Sequence, residues 1–95
     1  MDKRLSDIAL HHGLDDQLRQ TMEECSELIL AICKYNRQQT DMETIKQYNL
    51  NRICEEIVDV DIMINQLKIL IEHFDYDKYT DHQIKRELNR IKEGD

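Results

Sequence analysis

Two groups of acids hold most of the chemistry this sequence offers: Glu23-Glu24-Cys25-Ser26-Glu27, and Glu55-Glu56-Ile57-Val58-Asp59 further on. Each contains the pattern acid, two residues, acid. On a helix, residues three apart lie one turn apart on the same side, so Glu24 stands beside Glu27 and Glu56 beside Asp59. Ordinary surface helices interleave such acids with Lys or Arg three or four positions away. Here Glu24 has Gln20, Thr21, Glu27 and Leu28 at those positions, and Glu27 has Glu23, Glu24, Leu30 and Ala31. Asp59 has Glu55, Glu56, Ile62 and Met63, while Glu56 has one base, Arg52, in the less favourable order.

Relative to Val60, Glu56 is displaced by only about 40° around the helix, which aims it into an apolar stripe with Asp59 at the edge. Glu24 and Glu27 share a more open flank with Gln20 and the small Ala31. Desolvating a carboxylate costs several kcal/mol unless it is paired or bound to metal. Like charges a turn apart add about 3 to 4 kcal/mol of repulsion at an effective dielectric near 20. A hard divalent cation removes both penalties. An all-oxygen donor set favours Mg²⁺, with Mn²⁺ next, over zinc. No histidine follows a Glu by three residues, against a di-iron carboxylate site, and no Asp-rich loop with a central Gly suggests calcium. A competing arrangement is a surface acidic cluster answered by Lys85, Arg86 or Arg90.

The elements that position these acids are helices. The chain has 95 residues with no Pro, no Trp, 35% charged residues and two Gly, at 13 and 94, so little interrupts a helix after residue 14. A short helix is expected over 3–11, stopped by Gly13 and closed by His11 and His12. A second runs from Asp15 or Asp16 to Arg37, with Leu14, Leu18, Thr21, Cys25, Leu28 and Ile32 as its packing seam. A connection over 36–41 carries Thr40 or Asp41 as an N-cap. A third helix runs from Met42 to Phe74, with a possible break over 48–51. Its seam is Ile53, Ile57, Val60, Ile64, Leu67 and Ile71, and it is apolar elsewhere as well, so it needs cover on more than one side. A last helix over 77–92 turns Ile84, Leu88 and Ile91 inward. The reading is one all-α domain spanning 1–95, with a second copy covering the surplus apolar face as a homodimer or homotetramer.

The formal charge of −7, from 13 basic and 20 acidic residues, argues against a nucleic-acid polymer or an anionic membrane as partner. Cys25, Cys33 and Cys54 form no C-x-x-C pair and read as reduced core thiols in a cytoplasmic protein. There is neither an apolar signal core nor a run long enough for a membrane span.

The word Glu24-x-x-Glu27, then 28 residues, then Glu56-x-x-Asp59 resembles the signature of the MazG-like all-α nucleoside triphosphate pyrophosphohydrolases. Glu23-Glu24-Cys25-Ser26-Glu27-Leu28 is similar to the first motif of that family and Glu55-Glu56-Ile57-Val58-Asp59-Val60 to the second. The resemblance spans residues 14 to 71. It implies a four-helix bundle-like protomer assembled as a homodimer or dimer of dimers, with Mg²⁺ held by Glu24, Glu27, Glu56 and Asp59. The implied reaction cleaves a nucleoside triphosphate between its α and β phosphates, giving the monophosphate and pyrophosphate, and so clears surplus or noncanonical nucleotides.

With no Gly-rich phosphate loop in the chain, metal must carry the triphosphate charge. Glu24 or Glu27 is the candidate general base, both standing on the open flank. Lys85, Arg86 and Arg90 are candidates for the pyrophosphate, and His12 and Gln17 for the base. The alternative is a noncatalytic helical module that binds nucleotide or protein through an acidic pocket.

Overall fold

The computed structural model describes residues 2–94, which form four helices and, among the described residues, no strand. Helix α1 spans Lys3–His12 and starts on Asp2, whose side chain accepts from the Arg4 amide at 2.9 Å. Gly13, at φ +83°, turns the chain directly into α2, Leu14–Arg37. That left-handed conformation is one that Gly adopts at little cost.

A link over 38–42 joins α2 to α3, Glu43–Leu70. Met42 is the N-cap residue, and Thr40 acts beside it, its hydroxyl accepting from the Met42 amide at 3.1 Å. Helix α3 runs without a break through 48–51 and stops at Leu70, short of the expected Phe74. It stops where Ile71 leaves the helical conformation, at φ −114° and ψ 71°. Asp75 caps α4, Tyr76–Lys92, by accepting from the Lys78 amide at 3.0 Å, and the Tyr76 hydroxyl donates to the Ile71 carbonyl at 2.6 Å.

Helices α2 and α3 form the main packed pair, and α1 lies against α3 and, less extensively, α2. Their seam keeps Thr21, Cys25 and Leu28 of the expected α2 stripe and Ile53, Val60 and Leu67 of the α3 stripe, and departs from it elsewhere. On α2 the covered positions include Gln17, Thr21, Glu24, Cys25, Leu28, Ala31 and Tyr35; on α3 they include Asn49, Ile53, Glu56, Val60, Met63, Gln66 and Leu67. Both sets step mainly by 4 and 3, as helix packing requires. Leu14, Leu18 and Ile32 on α2, and Ile57 and Ile64 on α3, are exposed instead. Helix α3 is apolar around much of its circumference, so hydrophobic periodicity alone does not single out its packed face. The chain packs a seam that contains two acids and leaves a strongly apolar face outside.

Helix α4 is the second departure. It packs against none of the other helices to any extent, and Ile84, Leu88 and Ile91 are exposed rather than inward. The radius of gyration is accordingly 17.1 Å, against about 12 Å for a compact domain of this length. The cysteines are free, but Cys33 and Cys54 are exposed and Cys25 is half-buried, so they are not core thiols. Among the described residues, no helix is long and apolar enough to cross a membrane.

Candidate functional site

Seam position decides where the acids go. Because Glu24 and Glu56 both fall in the 4,3 stepping of the α2–α3 contact, they face one another across it. Asp59 follows Glu56 by one turn. Carboxylate oxygens of Glu24, Glu56 and Asp59 all lie within 4.8 Å of one another. Three carboxylates converging this closely would suit a hard divalent cation, with Glu24, Glu56 and Asp59 as the residues that would hold it. Glu27 does not belong to this group. It is exposed and lines a neighbouring cavity.

The three environments are unequal. Glu56 is buried, with 5% of its surface exposed, Glu24 is half-buried, and Asp59 is exposed. Glu24 accepts a hydrogen bond from Gln20 Nε2 at 2.9 Å. Glu56 pairs with Arg52 Nη2 at 3.2 Å, and the same guanidinium reaches Glu55 through Nη1 at 2.9 Å. The one base near Glu56 in sequence is therefore its partner in space, although it is shared with Glu55. Burial pushes the Glu56 carboxyl above its ordinary 4.5, and the Asp59 charge pushes further; Arg52 opposes the shift, while Glu27 and Glu24 add to it. The pairing with Arg52 leaves the buried acid incompletely compensated.

A raised folded-state pKa means that the folded chain holds the Glu56 proton more tightly than the unfolded chain does. Metal-free stability is therefore expected to be reduced above the folded pKa of Glu56 and to recover as pH falls through it toward 4.5. A cation held by these acids would compete with that proton, so any rise in melting temperature given by Mg²⁺ should shrink over the same descent. Thermal melts with and without Mg²⁺ between about pH 5 and 8 check both slopes.

Two cavities flank the acids along the α2–α3 pair. Toward the α1 end lies an open groove of about 710 Å³, lined by Ile8, His12, Gln17, Gln20, Met63 and Gln66 among others. Gln17, expected near a helix start as a possible base contact, is buried, and its Nε2 donates to Gln66 Oε1 at 2.6 Å across the two helices. His12 is exposed at the rim. Toward the 38–42 link lies a smaller cavity of about 130 Å³, lined by Glu27, Ala31, Lys34, Tyr48, Asn49 and Arg52 with Leu30.

Lys85, Arg86 and Arg90 stand on α4, which does not pack on the helices bearing the acids. Lys85 pairs with Asp81 at 2.9 Å and Arg90 with Glu87 at 3.0 Å, both within α4 itself. Sequence reasoning did not single out Lys34, Tyr48, Asn49 or Gln66. The signal was present for Lys34, which follows Glu27 by seven residues, two helical turns along the same side. Comparison with protein-family models, curated proteins and solved structures finds no match to this chain.

Proposed function

We propose that the chain is a Mg²⁺-dependent nucleoside triphosphate pyrophosphohydrolase of the MazG-like kind, converting a (d)NTP to the (d)NMP and pyrophosphate in cytoplasmic nucleotide-pool cleaning. The observation that carries this reading is the convergence of Glu24, Glu56 and Asp59, with one of the three buried and incompletely compensated. An all-oxygen set of this kind fits a hard divalent cation, Mg²⁺ or Mn²⁺. When bound, the ion neutralises phosphate oxygens and lowers the pKa of an attacking water.

The order of features along the hairpin supports a nucleoside triphosphate as the substrate. The larger groove with His12, Gln17 and Gln66 suits a nucleoside, the carboxylates follow it, and the small cavity with Lys34 and Arg52 comes last. This order matches base and then α phosphate, with Glu27 at the last cavity. In the reaction, the water oxygen attacks the α phosphorus while the bond to the α–β bridging oxygen breaks. The electron pair leaves with pyrophosphate, and the water's proton goes to Glu27, the acid outside the three-oxygen group. Glu24, Glu56 and Asp59 hold the cation, and Arg52 restrains Glu56 in its absence.

Incubating a panel of canonical and modified triphosphates with Mg²⁺, and assaying monophosphate and pyrophosphate, tests the reading. The expected products are those two in equal amounts. No turnover across the panel points to a noncatalytic module with an acidic pocket, and release of orthophosphate with a diphosphate refutes α–β cleavage.

The same reading includes a homodimer or homotetramer. The exposed surface is 7746 Å², where a monomer of this mass exposes about 5,800 Å². Leu14, Leu18, Ile29, Ile57 and Ile64 lie in that exposed surface, as does the apolar stripe of α4. Sedimentation giving the mass of one chain at micromolar concentration would sink this part.

A further inference from the structure

The converging acids already have a positive charge at hand. Arg52 precedes Glu55 by three residues and Glu56 by four, which puts all three on one side of α3 within a turn. Its guanidinium is divided between the two acids: Nη1 donates to Glu55 Oε1 at 2.9 Å and Nη2 to Glu56 Oε1 at 3.2 Å. Glu56 is one of the three converging acids, and Glu55 stands outside them.

The two ends of this fork are unequal. The Glu56 side chain is 7% exposed and the Glu55 side chain 62%, so one pair is sealed in the seam and the other stands in water. The contact with Glu55 is the shorter, and it does more than Glu56 to raise the Arg52 pKa. Arg52 is itself 45% exposed, so water can replace a lost contact. Release of Glu56 therefore costs the guanidinium little while Glu55 remains.

Glu56 does not need Arg52 in order to point where it does. Burial between α2 and α3 fixes the carboxyl, and Arg52 engages its Oε1 alone. What Arg52 supplies is charge, answering Glu56 where Asp59 and Glu24 crowd it. To a divalent cation held by the same acids, that charge is a repulsion and a competitor for Glu56.

We propose that Arg52 is the built-in counter-ion of this group, holding Glu56 while the acids are bare and withdrawing to Glu55 when they take a divalent cation, so that it sets how tightly the cation is held. Resting on the reading of Glu24, Glu56 and Asp59 as cation ligands, this adds a positioning residue, Arg52, and a place for it to withdraw to, Glu55. Neither touches the cation.

The test is calorimetric titration of the full chain with Mg²⁺ and with Mn²⁺, beside metal-free melting curves. Arg52→Gln is expected to tighten both cations by about three- to thirtyfold, the size expected for one charge removed from beside a partly solvated divalent site. Without metal the same variant should melt lower, and the drop should be smaller in a Glu56→Gln background, where the buried charge is gone. Glu55→Gln changes an exposed side chain, so it should fold, and it should weaken cation binding by leaving Arg52 to Glu56 alone. That weakening should be smaller when Arg52 is already Gln, whereas mere loss of the Glu55 charge would act equally in both backgrounds.

Cation affinity unchanged or lowered in Arg52→Gln, or unchanged in Glu55→Gln, overturns the counter-ion role and leaves the acids as ligands. No binding of either cation by the parent or by Arg52→Gln overturns both. Arg52-dependent cation affinity in a chain that turns over no triphosphate keeps the counter-ion and rejects the enzyme.

Discussion

Glu56→Gln is expected to melt at a higher temperature than the parent chain when no divalent cation is present, and to gain nothing from Mg²⁺. Glu56 is buried against Asp59 and Glu24, and its raised pKa records how poorly the seam accommodates its charge. The amide has nearly the same shape, removes that charge, and can still hydrogen-bond. Arg52 retains Glu55 at 2.9 Å, so the substitution leaves no guanidinium stranded. The parent chain is expected to be stabilised by Mg²⁺, because a bound cation would relieve the same repulsion, an effect that would grow with free metal concentration. In the variant one ligand of three is neutral, and kcat/KM should fall by at least about 100-fold. Melting without the gain, or a variant still stabilised by Mg²⁺, would mean that the acids serve the fold and not a cation.

The second large effect separates the base from the ligands. Glu27→Gln should lower kcat by roughly 10² to 10⁴, the usual contribution of a positioned general base, with Mg²⁺ affinity within about threefold of the parent. Glu24→Gln should lose affinity for the cation together with rate, because Glu24 is one of the three converging acids. Calorimetric Mg²⁺ titration beside steady-state kinetics distinguishes them. Equal loss of metal affinity in both variants would place Glu27 among the ligands and leave the proton acceptor elsewhere.

Much of this arrangement was legible in the sequence, and the failures have a common physical origin. Helix positions were readable because Pro is absent and cap residues are present: Gly13 separates α1 from α2, and of the two acids near the start of α4, Asp75 and Asp77, Asp75 is the cap. The approach of Glu24 to Glu56 and Asp59 follows from spacing within each helix and from the antiparallel return after the 38–42 link. What the pattern revealed only in part was which side packs inward: Thr21, Cys25, Leu28, Ile53, Val60 and Leu67 are covered as expected and Glu56 is buried, but the rest of the apolar stripe is not. On α2 the apolar stripe through Leu14, Leu18 and Ile32 is the more hydrophobic choice, yet the chain turns Gln17, Glu24 and Ala31 inward. A periodicity argument ranks faces by hydrophobicity, so it misplaces a seam that carries polar groups. The same bias turned Ile84, Leu88 and Ile91 of α4 inward, where they are exposed and none of the described helices packs on α4 to any extent. The expectation that Glu24 and Glu27 behave as an equivalent open pair also gave way. Glu24 is half-buried in the seam, while Glu27, one turn on, is exposed.

The buried Gln17–Gln66 hydrogen bond has a further consequence for how the hairpin forms. Contacts between α2 and α3 are nested around the short link, so the chain is expected to close like a zipper. Ala31 and Asn49 should meet early around a small loop, and Glu24 and Glu56 later. Gln17 and Gln66, separated by 49 positions, should close last. Loop-closure entropy rises only slowly over that range, so geometry alone gives little reason to pause. Electrostatics does, because the middle teeth of the zipper are like charges. Refolding of the metal-free chain is therefore expected to slow at the acid step and to quicken when Mg²⁺ is present from the start. Stopped-flow refolding, comparing the parent with Glu56→Gln, measures that delay.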